Sequence, residues 1–239
     1  MIKGLSTAMG ESTSDFLVHA MAPVAAVLLG FVAFTAALLL QLRRARYVAT
    51  TYWLAVVMVG TFGTMAADVL HVGLGVPYPV SSLLFAVVLA ALFFAWGKTE
   101  HTLSIHSIDT PRRELFYWAA VVATFAMGTA VGDFTAYTLH LGYFPSALVF
   151  AVIIAVPAIG FRWARWNAVF SFWFAYVITR PLGASIADGL AKPRTAKGLG
   201  LGSGWVALAF GTVIVVLVAY LTVSETDVQQ TPVLQSEGA

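Results

Sequence analysis

Cysteine is absent from the 239 residues, which removes disulfides, thiolate metal sites and thiol nucleophiles from consideration. Charge is scarce: Asp, Glu, Lys and Arg make up 10% of the chain, against about 25% in a soluble domain. The net charge is only +2, and the basic residues are scattered between apolar runs, so nucleic acid is not an expected partner. No Walker-type glycine loop, GxSxG elbow or HExxH pair occurs, so nucleotide hydrolysis and the common hydrolase chemistries lack their residues and an enzyme is not expected. The last apolar run, GWVALAFGTVIVVLVAY, holds no lysine for a retinal Schiff base.

What fills the chain is apolar surface. Hydrophobic residues make up 60% of it and the mean hydropathy is +0.87. Runs long enough to cross a hydrocarbon core of roughly 30 Å recur from end to end. This predicts an all-α integral membrane protein with one membrane domain over 1–222 and an acidic, disordered cytoplasmic tail over 223–239. Glu11 and Asp15 stand where a signal peptide would have its apolar stretch, so cleavage is not expected.

Internal repeats organise the domain. YWLAVVMVGTFGTMAAD leads into SSLLFAV, and YWAAVVATFAMGTAVGD leads into SALVFAV. Trp53, Trp118 and Trp173 each precede an aspartate (Asp68, Asp133, Asp188) by fifteen positions. A fourth, shortened copy is AMGESTSD at the amino terminus. The shared core is Gly-x4-Asp: Gly10 and Asp15, Gly63 and Asp68, Gly128 and Asp133, Gly183 and Asp188. The repeats are placed at about 1–44, 45–98, 112–165 and 166–222. Each holds a helix A ending near its aspartate and a plain apolar helix B. The eight expected helices cover 2–20, 23–42, 48–71, 79–97, 114–139, 144–162, 167–190 and 203–222. A seven-helix variant leaves the first segment outside the membrane.

Arg43, Arg44, Arg46, Lys98, Arg112, Arg113, Arg162 and Arg165 follow the B helices, which places those loops and both termini in the cytoplasm. The KPRTAK loop, on the opposite side, is an exception to that bias. A bacterial cytoplasmic membrane is the expected location, with the lipid bilayer and a small cation as partners; the oligomeric state is left open. Successive copies have parallel A helices, so four tandem parallel hairpins bring their aspartates to one depth. Small residues flank each aspartate, the composition that lets helices approach closely. The Tyr52–Trp53, Tyr117–Trp118 and Phe172–Trp173 pairs read as an aromatic belt at the membrane interface.

An ionised aspartate in the middle of a membrane helix costs about 2.5–3.5 kcal/mol on insertion scales, so four in register call for a role. Asp15, Asp68, Asp133 and Asp188 are candidate metal ligands or proton carriers, with Glu11 assisting. His19, His71 and His140 follow the first three aspartates by four, three and seven residues, returning to roughly the same helix face. Carboxylates with imidazoles suit Mn²⁺, Zn²⁺ or Fe²⁺, so the one cofactor under consideration is a divalent metal ion. Glu11 and Arg180 form a candidate structural ion pair if the first and fourth A helices adjoin. Pro181 is expected to break its helix.

GESTSD, GTMAAD, GTAVGD and RPLGASIAD followed by KP, together with YW and the LGY turn, resemble a bacterial family of uncharacterised membrane-anchored repeat proteins over roughly residues 5–222. The resemblance implies the fold and repeat arrangement, and no activity. Members carry a longer amino-terminal helix, so this chain departs from the pattern in its first segment. Glu11 and Asp15 also form an E-x-x-x-D similar to the acidic motifs of small manganese or calcium exchangers. The expected function is a small secondary transporter or channel for a cation, a divalent metal with proton coupling, in which mutual repulsion lets the clustered carboxylates share protons. The alternatives are a non-transporting sensor or assembly protein held by Asp–Arg pairs, and a haem-binding redox protein using paired histidines.

Overall fold

The computed structural model describes residues 2–44 and 47–224. Arg46 of the first basic loop, and the expected acidic tail from position 225 onward, lie outside the described residues. Eight α-helices follow one another: α1 (Ile2–Ala20), α2 (Pro23–Leu42), α3 (Ala49–Asp68), α4 (Tyr78–Glu100), α5 (Pro111–Asp133), α6 (Tyr143–Trp163), α7 (Ala168–Ala191) and α8 (Ser203–Ser224). Local chemistry sets several starts. Pro23 and Pro111 sit in first turns, where the missing amide is no loss. Asn167 accepts from the amides of Val169 and Phe170, capping α7.

The protein is an all-α membrane protein, and seven of its helices, α2 to α8, are long and apolar enough to cross a bilayer. The first helix is not, because Lys3, Glu11 and Asp15 interrupt it among serines and threonines. It is nevertheless enclosed, with Ser6, Thr7, Glu11, Ser12, Ser14 and Asp15 all buried. Helices α3 and α5 each continue past their aspartate as a single π-helical turn, Val69–Gly73 and Phe134–Thr138. Helix α7 runs unbroken through Pro181, contrary to the expected break; there the backbone is packed against α5 and α1 along its length.

The four A helices form a closed inner ring in the order α1, α3, α5, α7 and back to α1. Each B helix packs mainly on the A helix of the next unit rather than on its own: α2 on α3, α4 on α5, α6 on α7 and α8 on α1. The B helices present their apolar side chains outward; α8, for example, buries only Val206, Ile214 and Val218. Interlocking of this kind ties every unit to its successor.

The repeated glycine makes the ring possible. A Cβ on Gly10 would lie 2.8 Å from the carbonyl carbon of Gly60, and one on Gly63 2.6 Å from Cβ of Phe125. On Gly128 it would run into the Arg180 side chain, and on Gly183 into that of Thr7. Each motif glycine therefore receives the residue three positions before the glycine of the next A helix, and the fourth contact returns to the first helix. Backbone approach this close is what small residues provide between membrane helices.

One step along the chain from those glycines, Glu11, Thr64, Thr129 and Ala184 occupy equivalent positions. Glu11 Oε2 accepts from Thr64 Oγ1 and Thr129 Oγ1, both at 3.0 Å. Arg180, fully buried, donates to Thr7 O at 2.8 Å and to Thr64 Oγ1 at 2.9 Å, and its Nη2 stands 3.8 Å from Glu11 Oε2. Its guanidinium lies over the Phe125 ring, 3.7 Å from the centroid, a cation–π contact made strong by desolvation. This polar layer cross-links all four A helices.

Beyond it, toward the start of the A helices, the aromatic pairs turn inward. Trp118, Trp173 and Tyr117 are buried in one cluster with Trp96 and Tyr176, so they do not form the expected interfacial belt. Enclosure by the B helices explains the difference, and several of the ring polar atoms find partners inside. Trp173 Nε1 donates to Leu103 O at 2.9 Å, and the Tyr52 and Tyr117 hydroxyls pair at 2.5 Å. The Lys3 ammonium covers the Tyr176 ring.

Two stability measurements in detergent follow. Gly10→Val is expected to lower stability by about 1–3 kcal/mol through overpacking against α3, whereas Gly97→Ala, with open space around its Cβ, should stay within about 0.5 kcal/mol of the parent; equal melting temperatures would contradict the ring packing. Arg180→Met should cost about 3–5 kcal/mol by stranding Glu11, and Glu11→Gln/Arg180→Met should recover much of that loss. Additive costs in this double-mutant cycle would show that the two residues do not interact.

Candidate functional site

Past the polar layer, at the carboxyl ends of the A helices, the ring opens into a cavity of about 680 Å³. Asp15, Asp68, Asp133 and Asp188 all line it, one from each A helix, and Glu11 forms part of its lining. The equal placement follows from the shared Gly-x4-Asp spacing: the glycine contact fixes each helix axially, and the aspartate then stands five residues further on.

The four carboxylates are not equivalent. Lys192, just past the end of α7, bonds to Asp15 and stands 3.8 Å from Asp188. Burial works against its charge, but Asp188 and Asp15 outweigh that and hold the ammonium above the usual lysine range. Asp68 and Asp133 take no hydrogen bond and no ion pair among the described residues. Each stands at the junction of an α-helix and its π-helical turn, an irregularity common at functional sites.

Of the candidate histidines, only His19 lines the cavity; its Nδ1 donates to Asp15 O at 2.6 Å. His71 lies behind the wall: it donates to Val76 O at 2.7 Å and stacks on Tyr78, with ring centroids 3.4 Å apart. His140 is exposed, with a left-handed φ of 56°, and does not reach the cavity. No histidine pair for haem is therefore brought to the site. Among the described residues, no group of three or more His, Asp or Glu side chains could hold a metal ion. The aspartates come from four separate helices, and the Lys192 ammonium engages two of them, Asp15 and Asp188.

Two cavity residues escaped the sequence reading, Tyr78 and Tyr137. Their rings stack at 5.9 Å, and Tyr78 is itself sandwiched against His71. A signal for Tyr137 was present. The residues four past each aspartate are His19, Val72, Tyr137 and Lys192, and all four line the cavity. The rest of the lining is apolar, with Val18, Val24, Val27, Leu28, Met65 and Val69. Val24, Leu28 and Val72 are more than half exposed, so the cavity is open between the start of α2 and the π-helical turn after α3.

The loop 192–202 holds Lys192 in place. It folds back on the end of α7, with Leu199 N donating to Gly189 O at 2.8 Å and Gly200 N to Lys192 O at 2.8 Å. Gly200 and Gly202 have φ of +78° and +84°, conformations that favour glycine.

No curated protein and no solved structure matches the chain. The model of the DUF347 family, described as a repeat of unknown function, matches residues 51–102, 116–165 and 171–227. Those three matches correspond to the second, third and fourth hairpins and take in Asp68, Asp133 and Asp188, whereas the copy at the amino terminus lies outside them. The chain belongs to the DUF347 family of repeat proteins.

Proposed function

We propose that the protein is a small secondary transporter or channel for a cation, in which Asp68 and Asp133 receive the cargo and exchange it for protons. The observation that carries this reading is the cavity's charge balance. Glu11, Asp15, Asp68, Asp133 and Asp188 line the cavity, and they outnumber the cations of the inner helices and their ends, Lys3, Arg180 and Lys192, by two. An apolar setting does not tolerate that excess, so it is neutralised by protons or by a bound cation. Crowded carboxylates hold protons jointly and release them together when a cation enters.

Residues 1–44 are, in this reading, one more copy of the repeat, the first along the chain. The support is the glycine geometry, since Gly183 receives Thr7 and Gly10 receives Gly60 as the other motif glycines receive their neighbours. The basic loops after α2, α4 and α6 put the start of the A helices in the cytoplasm of a bacterial cell, and the cavity then opens on the outer side. Lys192, the first charge of the exceptional KPRTAK loop, is consumed by Asp15 and Asp188, which lessens the conflict. A divalent metal would have to find its ligands after a rearrangement, because the carboxylates do not converge.

The test is proton movement in pyranine-loaded proteoliposomes given an inward cation gradient. Manganese, potassium and tetraphenylphosphonium chlorides are applied one at a time. A gradient of the transported cation should drive proton counterflow in the parent, and Asp68→Asn/Asp133→Asn should abolish it while keeping its melting temperature. Equal counterflow in both proteins, or none with any cation, would rule the reading out in favour of a sensor or assembly role.

A further inference from the structure

We infer that the cargo is a lipophilic organic cation, a charged nitrogen or phosphorus centre carrying an apolar body, which reaches the site from the outer part of the bilayer. This rests on the transport reading above and narrows it. Three features of the cavity separate this occupant from an inorganic ion. First, the cavity is large, about 680 Å³, whereas an inorganic ion is recognised by a tight shell of oxygens a little over 2 Å away. No three carboxylate or imidazole groups form such a shell among the described residues.

Second, the lining is mixed. The lining combines the carboxylates of Asp68, Asp133 and Asp188 with an aliphatic wall supplied by Val24, Val27 and Leu28 of α2. Asp188 is only 5% exposed, and among the described residues its carboxylate takes no hydrogen bond; its one ion-pair partner there, Lys192, stands 3.8 Å away. Tyr78 and Tyr137 present aromatic rings beside the acids, and ring faces attract organic cations. A strongly hydrated ion gains nothing from such a wall, but an apolar body gains about 25 cal/mol for each Å² it removes from water.

Third, the opening is lateral. Val24, Leu28 and Val72 are 73%, 59% and 79% exposed. Val24 and Leu28 lie on α2, an outer helix long and apolar enough to cross a bilayer, and Val72 on the π-helical turn that ends α3; with α2 in the membrane, this side of the cavity faces the hydrocarbon region. A partitioned amphiphile lies with its charge at the level of the interface and its apolar part in the acyl chains. Asp15, Asp68, Asp133 and Asp188 stand toward the carboxyl ends of α1, α3, α5 and α7, the end at which such a charge would enter.

The experiment is equilibrium binding of radiolabelled tetraphenylphosphonium to the full-length protein in detergent, with folding checked by melting temperature. Saturable binding is expected, undiminished by manganese chloride at equal charge. Asp68→Asn/Asp133→Asn should weaken it about tenfold or more. Val27→Trp, which fills the aliphatic wall and leaves every carboxylate intact, should also weaken it about tenfold. No saturable binding to the folded parent, displacement by manganese, or binding unchanged in both variants would overturn the inference. Its failure is distinguishable from failure of transport. If manganese drives Asp68-dependent proton counterflow in the proteoliposomes while tetraphenylphosphonium neither binds nor competes, transport stands and the organic cargo falls.

Discussion

The structure depends on four close contacts in which a glycine of one A helix receives a residue of the next. A side chain at Gly10, Gly63, Gly128 or Gly183 would displace the neighbouring helix, and the ring would lose its closure. In lipid there is little hydrophobic gain in bringing helices together, so close packing and polar contacts must hold them. The glycines supply the first, and they set the second, because Glu11, Thr64 and Thr129 stand one position further along and meet as a result. The B helices then lock the ring from outside, each bracing the A helix of the following unit.

A ring closed in this way has two zones. On one side of the glycine contacts, aromatic side chains and the Arg180 layer fill the axis completely; Arg180, Trp118 and Phe125 have almost no exposure. On the other side the helices carry small residues and aspartates, and the axis widens into the cavity. The polar layer is therefore the floor of the site as well as its cross-link. Arg180 places a fixed positive charge there, which opposes passage of a cation and gives the closed end of the axis an electrostatic as well as a steric barrier. Glu11 holds that arginine and lines the cavity at once, so the floor and the site share a residue.

Much of this was legible in the sequence. Trp-to-Asp spacing and the Gly-x4-Asp core revealed the hairpins, and the helix limits agree with the apolar runs to within about a turn. The four aspartates line one cavity, as equal depth on parallel helices required. The aromatic pairs and histidines were less readable, for one reason: composition says that a residue lies near a helix end but not which way it faces. Trp118 and Trp173 turned inward because B helices cover them, and His140 fell outside because it stands past the π-helical turn after Asp133, where the chain takes a left-handed conformation at His140 itself. Tyr78 comes from a B helix, which the motif does not describe. The bracing of each A helix by the preceding B helix has no signature in a hydropathy pattern.

The departures from symmetry carry as much meaning as the repeat. Four identical units would give a ring with four equal carboxylates and a symmetric well at its centre. The four A helices differ at two levels. Beside the glycines, α1 carries Glu11 where α3, α5 and α7 carry threonine or alanine; four residues past the aspartates, the helices are followed by or end in histidine, valine, tyrosine and lysine. Lys192 engages Asp15 and Asp188 on one side of the ring, while the valine and tyrosine leave Asp68 and Asp133 open on the other. Helix α2, whose packing lies chiefly on α3, supplies the aliphatic wall on the open side. A symmetric scaffold has thus been given one charged, one aromatic and one apolar flank, and that arrangement can distinguish the parts of an asymmetric ligand where a plain ring of acids would attract any cation.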